Sequence, residues 1–253
     1  MSGSFDGRVA LVTGAGRGVG RAVALQLADC GAQVALLARS VSQLEETADQ
    51  VRTEGGVALV VPADLGDPGA VSEAAATAVK ELGPVDILVN NAAVVQPAGP
   101  TLTAGPGAWA TAFAVNVDAP VRLALAFLPS MLERGWGRVV NVSSGIVDRP
   151  GGMVGLNAYA ATKAALEAHT LGLAAELSGS GVTVNVYRPG SVDTAMQEWI
   201  RSQPPDEVGA ALHDHFQASY EQGALITPER SARSLLARIA GTATGEIWTV
   251  SDD

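Results

Sequence analysis

Short apolar runs alternate with longer segments of helical periodicity along the whole chain. The runs are rich in Val, Leu and Ile, and most of them are apolar on both faces, a pattern typical of buried strands. Between them lie alanine-rich stretches whose apolar residues recur with the period of a helix. The strands predicted in this way are residues 8–13, 33–38, 57–62, 85–90, 138–143, 182–187 and 246–250.

This alternation predicts an α/β fold. Strands that are apolar on both faces belong to parallel sheets with helices on each side, joined by right-handed crossovers. We therefore expect one doubly wound, Rossmann-type sheet of seven parallel strands in a three-layer αβα arrangement. No repeat, low-complexity linker or change of composition divides residues 1–253, so we expect one domain.

Residues 193–227 depart from the alternation. They contain the sequence SQPPDEVG, scattered aromatic residues and no strand pattern. An insertion after the sixth strand would lie beyond the carboxyl end of the sheet, where open α/β sheets bind ligands. We predict that this segment is a lid over a substrate pocket; a plain surface insertion is the alternative.

Composition excludes several classes of protein. With 26 acidic and 16 basic residues the net charge is −10, which disfavours a nucleic-acid binder. The single cysteine, Cys30, excludes an intrachain disulfide. No signal-peptide pattern and no uninterrupted apolar run of about 18 residues is visible, so we expect a cytoplasmic protein without a membrane partner. His213 and His215 do not predict a metal site, because side chains two positions apart diverge on a helix and no third ligand is near.

A glycine-rich loop directly follows the first predicted strand. The sequence TGAGRGVG places Gly14, Gly18 and Gly20 between that strand and a helical segment. Such a loop lets backbone N–H groups approach a pyrophosphate, and the helix N-terminus adds partial positive charge. The spacing matches neither G-x-G-x-x-G nor a P-loop, but the position between a strand and a helix favours dinucleotide binding over a purely structural turn.

Two arginines indicate which dinucleotide is bound. In NAD sites an acidic residue about 20 positions after the glycine loop binds the ribose 2′-hydroxyl. Here Ala38 and Arg39 end the second strand, and Arg17 lies within the loop. A guanidinium binds a 2′-phosphate with paired hydrogen bonds, whereas a carboxylate repels it. The sequence therefore favours NADP(H), with NAD(H) as the alternative.

Tyr159 and Lys163 are four positions apart, on one face of a predicted helix. Reduction of a ketone requires a proton for the developing alkoxide, and a free phenol has a pKa of about 10. A nearby ammonium group favours the phenolate and lowers that pKa, so Tyr159 is a candidate acid/base and Lys163 the group that tunes it. A core-facing tyrosine and a solvated lysine that share this spacing by chance are the alternative.

Together these features resemble the short-chain dehydrogenase/reductase family, in its compact single-domain branch. The resemblance extends from Arg8 to about Val250 and implies NAD(P)-dependent interconversion of alcohols and carbonyl compounds. It also implies a homo-oligomer, a dimer or a tetramer, formed through helices around 107–134 and 157–178. The motifs that carry it are Thr13-Gly14-x-x-x-Gly18-x-Gly20, Asp64-Leu65, Asn90-Asn91-Ala92, Asn116, Ser143-Ser144, Tyr159-x-x-x-Lys163 and Pro189-Gly190.

The resemblance further implies individual site residues. The catalytic tetrad is Asn116, Ser144, Tyr159 and Lys163. In it, Ser144 hydrogen-bonds the carbonyl oxygen, and Asn116 anchors a water on the proton path from Lys163; a helix-interior Asn116 bonded to backbone is the alternative. The expected cofactor contacts are Gly14, Arg17, Gly18, Val19, Gly20, Arg39, Asp64, Leu65, Asn91, Ala92, Tyr159, Lys163, Pro189, Gly190, Val192 and Thr194.

The predicted pocket walls lie at 93–96, 145–157 and 195–220, where small and apolar residues dominate. They favour a small hydrophobic ketone, aldehyde or alcohol as the substrate. A carrier-bound 3-oxoacyl substrate is one alternative, and a non-catalytic NADP(H)-binding sensor or scaffold is another. The prominent side chains of these walls are Met153, Val154, Met196, Trp199 and Phe216.

Overall fold

Seven parallel strands form one sheet in the order β3-β2-β1-β4-β5-β6-β7 in the computed structural model, which describes residues 4–250. The strands are β1 (Val9–Thr13), β2 (Gln33–Ala38), β3 (Ala58–Pro62), β4 (Ile87–Asn90), β5 (Gly137–Val142), β6 (Val182–Arg188) and β7 (Ile247–Thr249). The helices are α1 (Gly18–Asp29), α2 (Val41–Thr53), α3 (Pro68–Leu82), α4 (Pro106–Phe113), α5 (Ala119–Glu133), α6 (Asn157–Glu176), α7 (Ala195–Ser202), α8 (Pro205–Val208), α9 (Ala210–Glu221) and α10 (Pro228–Ile239).

The predicted fold class is confirmed. Each of the seven apolar runs forms a strand, all pairs are parallel, and helices cover both faces of the sheet. The strand order reverses between β1 and β4, which leaves a crevice at the carboxyl ends of these two strands. The topology therefore predicts that a ligand site lies where β1, β4 and their neighbours end.

Each face of the sheet has its own apolar core. On one face, Leu27 of α1, Leu44 of α2 and Leu235 of α10 pack against the strands without exposure to solvent. On the other face, α3 and α5 contribute Ala78 and Leu123 in the same way. Close packing on both faces holds the sheet rigid, so the loops that follow the strands have fixed positions.

A chain of polar side chains crosses the second core and ties α6 to the sheet. Asn90, at the end of β4, donates from Nδ2 to Asn141 Oδ1 at 2.8 Å. Asn141 of β5 in turn donates from Nδ2 to Thr170 Oγ1 of α6 at 2.9 Å. All three side chains are buried, where a satisfied hydrogen bond fixes position more strongly than apolar contact alone. The chain sets the position of α6, which carries the Tyr159-x-x-x-Lys163 motif.

Helices α4 and α5 are joined by a π-helical turn, Ala114–Asp118, into one apolar rod. By length and hydropathy this rod, Pro106–Glu133, could cross a membrane, which the sequence pattern did not predict. Half of its most apolar window is buried inside the protein. A core helix has the same length and composition, so this feature is weak support for a membrane span.

Residues 193–227 form α7, α8 and α9 and contain no strand of the sheet, as the sequence pattern indicates. The two ends of the segment are held together, because Asp193 N donates to Ile226 O at 3.0 Å and Ile226 N donates to Ser191 O at 2.9 Å. Ile200, Leu212 and other apolar side chains of the segment form a third cluster, separate from the two sheet cores. The segment is therefore a compact unit closed at its base.

Close packing at Gly20 gives the first prediction. A Cβ at this position would lie 2.3 Å from Gly14 O and 2.4 Å from Asn91 Nδ2, so Gly20→Ala forces α1 away from the glycine loop. We expect a loss of roughly 1–3 kcal/mol of stability, seen as a lower thermal midpoint. Gly107→Ala is the control, because nothing lies within 4 Å of its Cβ. Equal midpoints for the two variants would contradict the packing account.

Candidate active site

The glycine loop between β1 and α1 has a backbone that only glycine adopts easily. Gly14 and Gly18 have φ values of +66° and +56°. A Cβ on Gly14 would also lie 2.8 Å from Asn91 Nδ2. No side-chain hydrogen bond caps α1, whose N-cap residue is Arg17. The first N–H groups of the helix therefore stay available to a bound anion, as a dinucleotide site requires.

A hydrogen-bonded clip joins the ends of β1 and β4 under this loop. Thr13 Oγ1 accepts from the backbone N–H groups of Asn91 and Ala92, both at 2.9 Å. Asn91 Nδ2 donates to Thr13 O at 2.9 Å. The Asn91 side chain, expected along the adenosine of the cofactor, lines the crevice but directs its amide at the β1 backbone. The clip shapes the crevice floor, a role for Thr13 that its place in the motif did not specify.

Arg17 and Arg39 lie at one end of the crevice. Both side chains are exposed, and within residues 4–250 neither forms an ion pair. The nearby carboxylate, Asp64, accepts from Gly66 N at 2.9 Å in a tight turn. This part of the cavity lining thus carries two guanidinium groups without an ion pair among the described residues and one carboxylate that is already hydrogen-bonded, an electrostatic setting that suits a phosphate.

Two residues at this end were missed by the sequence analysis. Ser40 and Gln43, at the start of α2, also line the crevice. Ser40 Oγ accepts from Gln43 N at 3.4 Å and caps the helix. The S-x-x-Q spacing of a helix start is visible in the sequence and could have placed these residues beside Arg39.

One cavity of about 600 Å³ connects the glycine loop to the Tyr159 motif. Nearly every predicted cofactor residue lines it, as does Ser144. Gly20 is the exception, because it packs behind the loop against Gly14 and does not reach the cavity. The predicted residues that line the cavity are Gly14, Arg17, Gly18, Val19, Arg39, Asp64, Leu65, Asn91, Ala92, Ser144, Tyr159, Lys163, Pro189, Gly190, Val192 and Thr194.

Ser144, Tyr159 and Lys163 meet at the other end of the cavity. Ser144 follows β5, and its hydroxyl hydrogen-bonds the Tyr159 phenol, near the start of α6. Lys163 Nζ lies 5.7 Å from the centre of the Tyr159 ring and donates to Val142 O at 2.7 Å. An ammonium has three donors, so two remain for other acceptors. The structure thus brings these three predicted catalytic residues together.

The cavity wall changes the acid–base properties of both titrating groups. Burial raises the pKa of Tyr159 to about 12, and the hydrogen bond from Ser144 only partly offsets this effect. Burial lowers the pKa of Lys163 to about 8, while the negative charge of Glu167 opposes the change. The lower phenol pKa that we expected from Lys163 is therefore not a property of the protein chain alone. The chain by itself stabilises a neutral phenol, the form that can give up a proton.

Asn116 lies in the π-helical turn and is completely buried. Its Oδ1 accepts from Val94 N at 2.8 Å, and its Nδ2 donates to Val94 O at 2.9 Å and to Thr162 Oγ1 at 3.0 Å. It does not line the cavity. Asn116 therefore joins the loop after β4 to α6, and these contacts match the backbone-bonded alternative more closely than a direct place in the cavity.

The substrate end of the cavity is apolar, with two corrections to the predicted wall. Met153, Met196 and Phe216 line it as expected. Val154 does not, and this residue is 75 % exposed to solvent. Trp199 packs against the third apolar cluster instead of facing the cavity. Further side chains that line it, all within the predicted walls at 93–96, 145–157 and 195–220, are Val94, Val95, Ile146, Leu156, Ile200 and His215.

The histidine pair of α9 separates as expected for positions two apart. His213 Nε2 lies 3.2 Å from Arg201 O, whereas His215 packs edge-on against Phe216. Between residues 4 and 250 no group of three or more His, Cys, Asp or Glu side chains could hold a metal ion. The chemistry that the cavity offers is therefore that of a phenol, an ammonium and a hydroxyl beside a dinucleotide-shaped crevice.

Comparison with known proteins identifies the family. The short chain dehydrogenase family matches residues 8–205. The chain is 38 % identical over 213 residues to a short chain dehydrogenase of Pseudocercospora fijiensis, covering 83 % of this chain and 66 % of that protein. It is 37 % identical over 228 residues to the short-chain reductase protein NovJ of Streptomyces niveus, covering 90 % of this chain and 85 % of NovJ.

A solved structure agrees over nearly the full length. The L-sorbose reductase of Gluconobacter frateurii, in complex with NADPH and L-sorbose, superposes with a TM-score of 0.87 at 28 % identity, covering 99 % of this chain and 97 % of that one. The family match spans more than half of the chain and includes the glycine loop and the Ser144, Tyr159 and Lys163 positions. This chain belongs to the short-chain dehydrogenase/reductase family of oxidoreductases.

Proposed function

We propose that this protein is an NADP(H)-dependent oxidoreductase that interconverts a hydrophobic ketone or aldehyde and the corresponding alcohol. The proposal rests on the residues that line one cavity. A single cavity has at one end two arginines that form no ion pair within residues 4–250, and the Ser144, Tyr159 and Lys163 side chains at the other. Such a cavity suits a dinucleotide whose phosphorylated end lies by the arginines and whose reacting ring lies by the tyrosine.

The residues present fit the cofactor. The uncapped N-terminus of α1 and the glycine loop would hold the pyrophosphate, and Pro189 and Gly190 would contact the nicotinamide end. Lys163 keeps two donors for the ribose hydroxyls beyond its bond to Val142 O. When bound, the nicotinamide supplies or accepts a hydride at the carbonyl carbon.

The chain's own residues manage the proton. Tyr159, a phenol that is protonated at neutral pH and whose pKa burial raises further, donates its phenolic proton to the carbonyl oxygen during reduction. Ser144 turns the one O–H group that it directs at the phenol to that carbonyl oxygen when the substrate is bound, and stabilises the negative charge that develops there. The Lys163 ammonium stabilises the phenolate that remains, which is the same interaction that favours deprotonation of Tyr159 in the oxidation direction.

Selectivity for NADP(H) gives a prediction at Arg39. A ligand at about 100 times its dissociation constant raises the free energy of unfolding by roughly 2.7 kcal/mol. Because the arginines should bind the 2′-phosphate, we expect NADP⁺ and NADPH to raise the thermal midpoint more than NAD⁺ and NADH at the same concentration. Arg39→Ala removes a charged hydrogen-bond donor and should weaken NADPH binding roughly tenfold or more while sparing NADH. Arg52→Ala, a surface arginine of α2 outside the cavity, is the control. Equal stabilisation by NADH and NADPH would contradict the role given to Arg39 and Arg17.

The substrate is proposed from the chain's own cavity wall. Met153, Met196 and Phe216 line the end of the cavity that holds Ser144, Tyr159 and Lys163. Met196 belongs to α7 and Phe216 to α9. We therefore propose that residues 193–227 act as a lid over a hydrophobic substrate. A carrier-bound 3-oxoacyl substrate is the second candidate. The sugar bound by the Gluconobacter frateurii enzyme is a property of that protein.

The role of Tyr159 is tested by removing one oxygen atom. Tyr159→Phe should lower the rate of NADPH-dependent ketone reduction by roughly 10²–10⁴-fold, because the proton donor is lost, while NADPH still stabilises the fold. Tyr220→Phe is the control, since that tyrosine is exposed and its ring stacks on Arg201 outside the cavity. A wild-type protein that binds NADPH and turns over no carbonyl or alcohol substrate would instead favour a sensor or scaffold.

We also propose that the chain forms a homo-oligomer, a dimer or tetramer, through α5 and α6. Leu125 is 67 % exposed on α5, and Leu171 is a further exposed apolar side chain on α6. Large exposed apolar side chains on neighbouring helices favour a protein contact. We expect light scattering to give a multiple of the 25.7 kDa chain mass, and Leu125→Asp to shift it toward the monomer. A monomeric wild-type protein would rule out this assembly.

A further inference from the structure

A buried ion pair links α6 to the end of β6. Glu167 is 5 % exposed and Arg188 is 8 % exposed. Arg188 donates from Nε to Glu167 Oε1 and from Nη2 to Oε2, both at 2.8 Å, so the pair is a two-pronged fork. The fork raises the pKa of Arg188 and keeps it charged. This geometry fixes the direction of the carboxylate as well as its distance.

The same guanidinium reaches a third element. Arg188 Nη1 donates to Asp148 Oδ2 at 2.5 Å, and Asp148 ends the short helical turn that begins directly after Ser144. Arg188 itself precedes Pro189 and Gly190, which line the cofactor crevice. The Arg188 side chain therefore joins the three elements that form the reacting end of the cavity: the Ser144 loop, α6 and the turn after β6.

Glu167 lies on the face of α6 that carries the reacting pair. Tyr159, Lys163 and Glu167 are spaced by four residues each, so they follow one another along that face. Lys163 is buried and its Nζ is 2.7 Å from a neutral backbone carbonyl of β5. Charged groups near this part of α6 include Glu167 on the helix itself, Arg188 at the end of β6 and, beyond it, Asp148 of the Ser144 loop. The π-helical turn contributes the buried amide of Asn116, and its one carboxylate, Asp118, pairs with Arg122 at the surface.

We propose that Glu167 and Arg188 form a positioning pair for the reaction, in which Arg188 aims the Glu167 carboxylate so that Lys163 stays an ammonium. The inference rests on the proposed function, because it assigns the pair to the proton chemistry of that site. Apolar residues of similar volume often stabilise a protein core as well as a buried ion pair does. Stability of the fold alone is therefore a weak reason for an ion pair at this position. Burial lowers the pKa of Lys163, and Glu167 is the charged group that opposes this change.

The sequence offers a direct measurement of Lys163. The chain has two lysines, Lys80 and Lys163, so NMR of protein labelled with ¹³C at the lysine ε-carbon gives two side-chain signals. Lys80→Arg assigns them. Titration of the Lys163 signal reports its pKa in the full chain without any turnover.

The test variant is Glu167→Gln, with Asp86→Asn as its matched control. Asp86 is also a buried carboxylate paired with arginines, Arg8 at 3.3 Å and Arg134 at 3.1 Å, but it lies at the start of β4, at the opposite end of the sheet. We expect Glu167→Gln to lower the pKa of Lys163 by about one unit and to move the alkaline limit of ketone reduction to lower pH by the same amount. Asp86→Asn should leave both values unchanged.

The pKa of Lys163 in these variants decides the proposal. An unchanged pKa of Lys163 in Glu167→Gln, or an equal shift in Asp86→Asn, would overturn it. If Glu167→Gln does not fold, the double variant Glu167→Gln/Arg188→Gln leaves no unpaired buried charge. A smaller downward shift of the Lys163 pKa is expected in it, because the repulsive charge of Arg188 is lost as well, and an unchanged pKa there would overturn the proposal. A wild-type protein without turnover would count against the proposed function, whereas the NMR titration would still decide whether Glu167 controls Lys163.

Discussion

Parallel pairing of the strands is the constraint on which the whole site depends. Because β1, β2, β4, β5 and β6 all run the same way, their carboxyl ends meet at one edge of the sheet. Each strand then delivers one part of the site: the glycine loop, Arg39, the Asn91 clip, Ser144, and the Pro189–Gly190 turn. Helix α6 completes the set, held in place by the Asn90–Asn141–Thr170 chain. Residues far apart in the sequence therefore line one cavity.

Burial then determines the chemistry. In a chain with a net charge of −10, two exposed arginines create a local positive region at the end of the cavity that suits a phosphate. At the other end, exclusion of water favours the neutral forms of Tyr159 and Lys163, and the two shifts have opposite consequences. A neutral phenol is the acid that reduction needs, whereas a neutral lysine could not stabilise a phenolate. The carboxylate of Glu167 favours the charged form of Lys163.

Much of the fold could be predicted because its signals are local. Strands buried on both faces leave apolar runs, and the glycine loop and the Tyr159–Lys163 pair each occupy a few consecutive residues. What could not be predicted depends on side-chain direction or on distant partners. Val154 and Met153 are neighbours in the sequence, yet only Met153 faces the cavity. Glu167 and Arg188 are 21 positions apart on different elements, so no local sequence pattern predicts that they pair.

The most direct test of the account is transfer of deuterium from NADPH labelled at the reacting carbon of the nicotinamide to a hydrophobic aryl ketone. We expect mass spectrometry to find the label on the carbinol carbon of the product with the wild-type protein, and essentially none with Tyr159→Phe at equal NADPH saturation. Equal transfer by the two proteins would contradict the assignment of Tyr159. Absence of transfer from a wild-type protein saturated with NADPH, across hydrophobic ketones of different size, would contradict the reductase account itself.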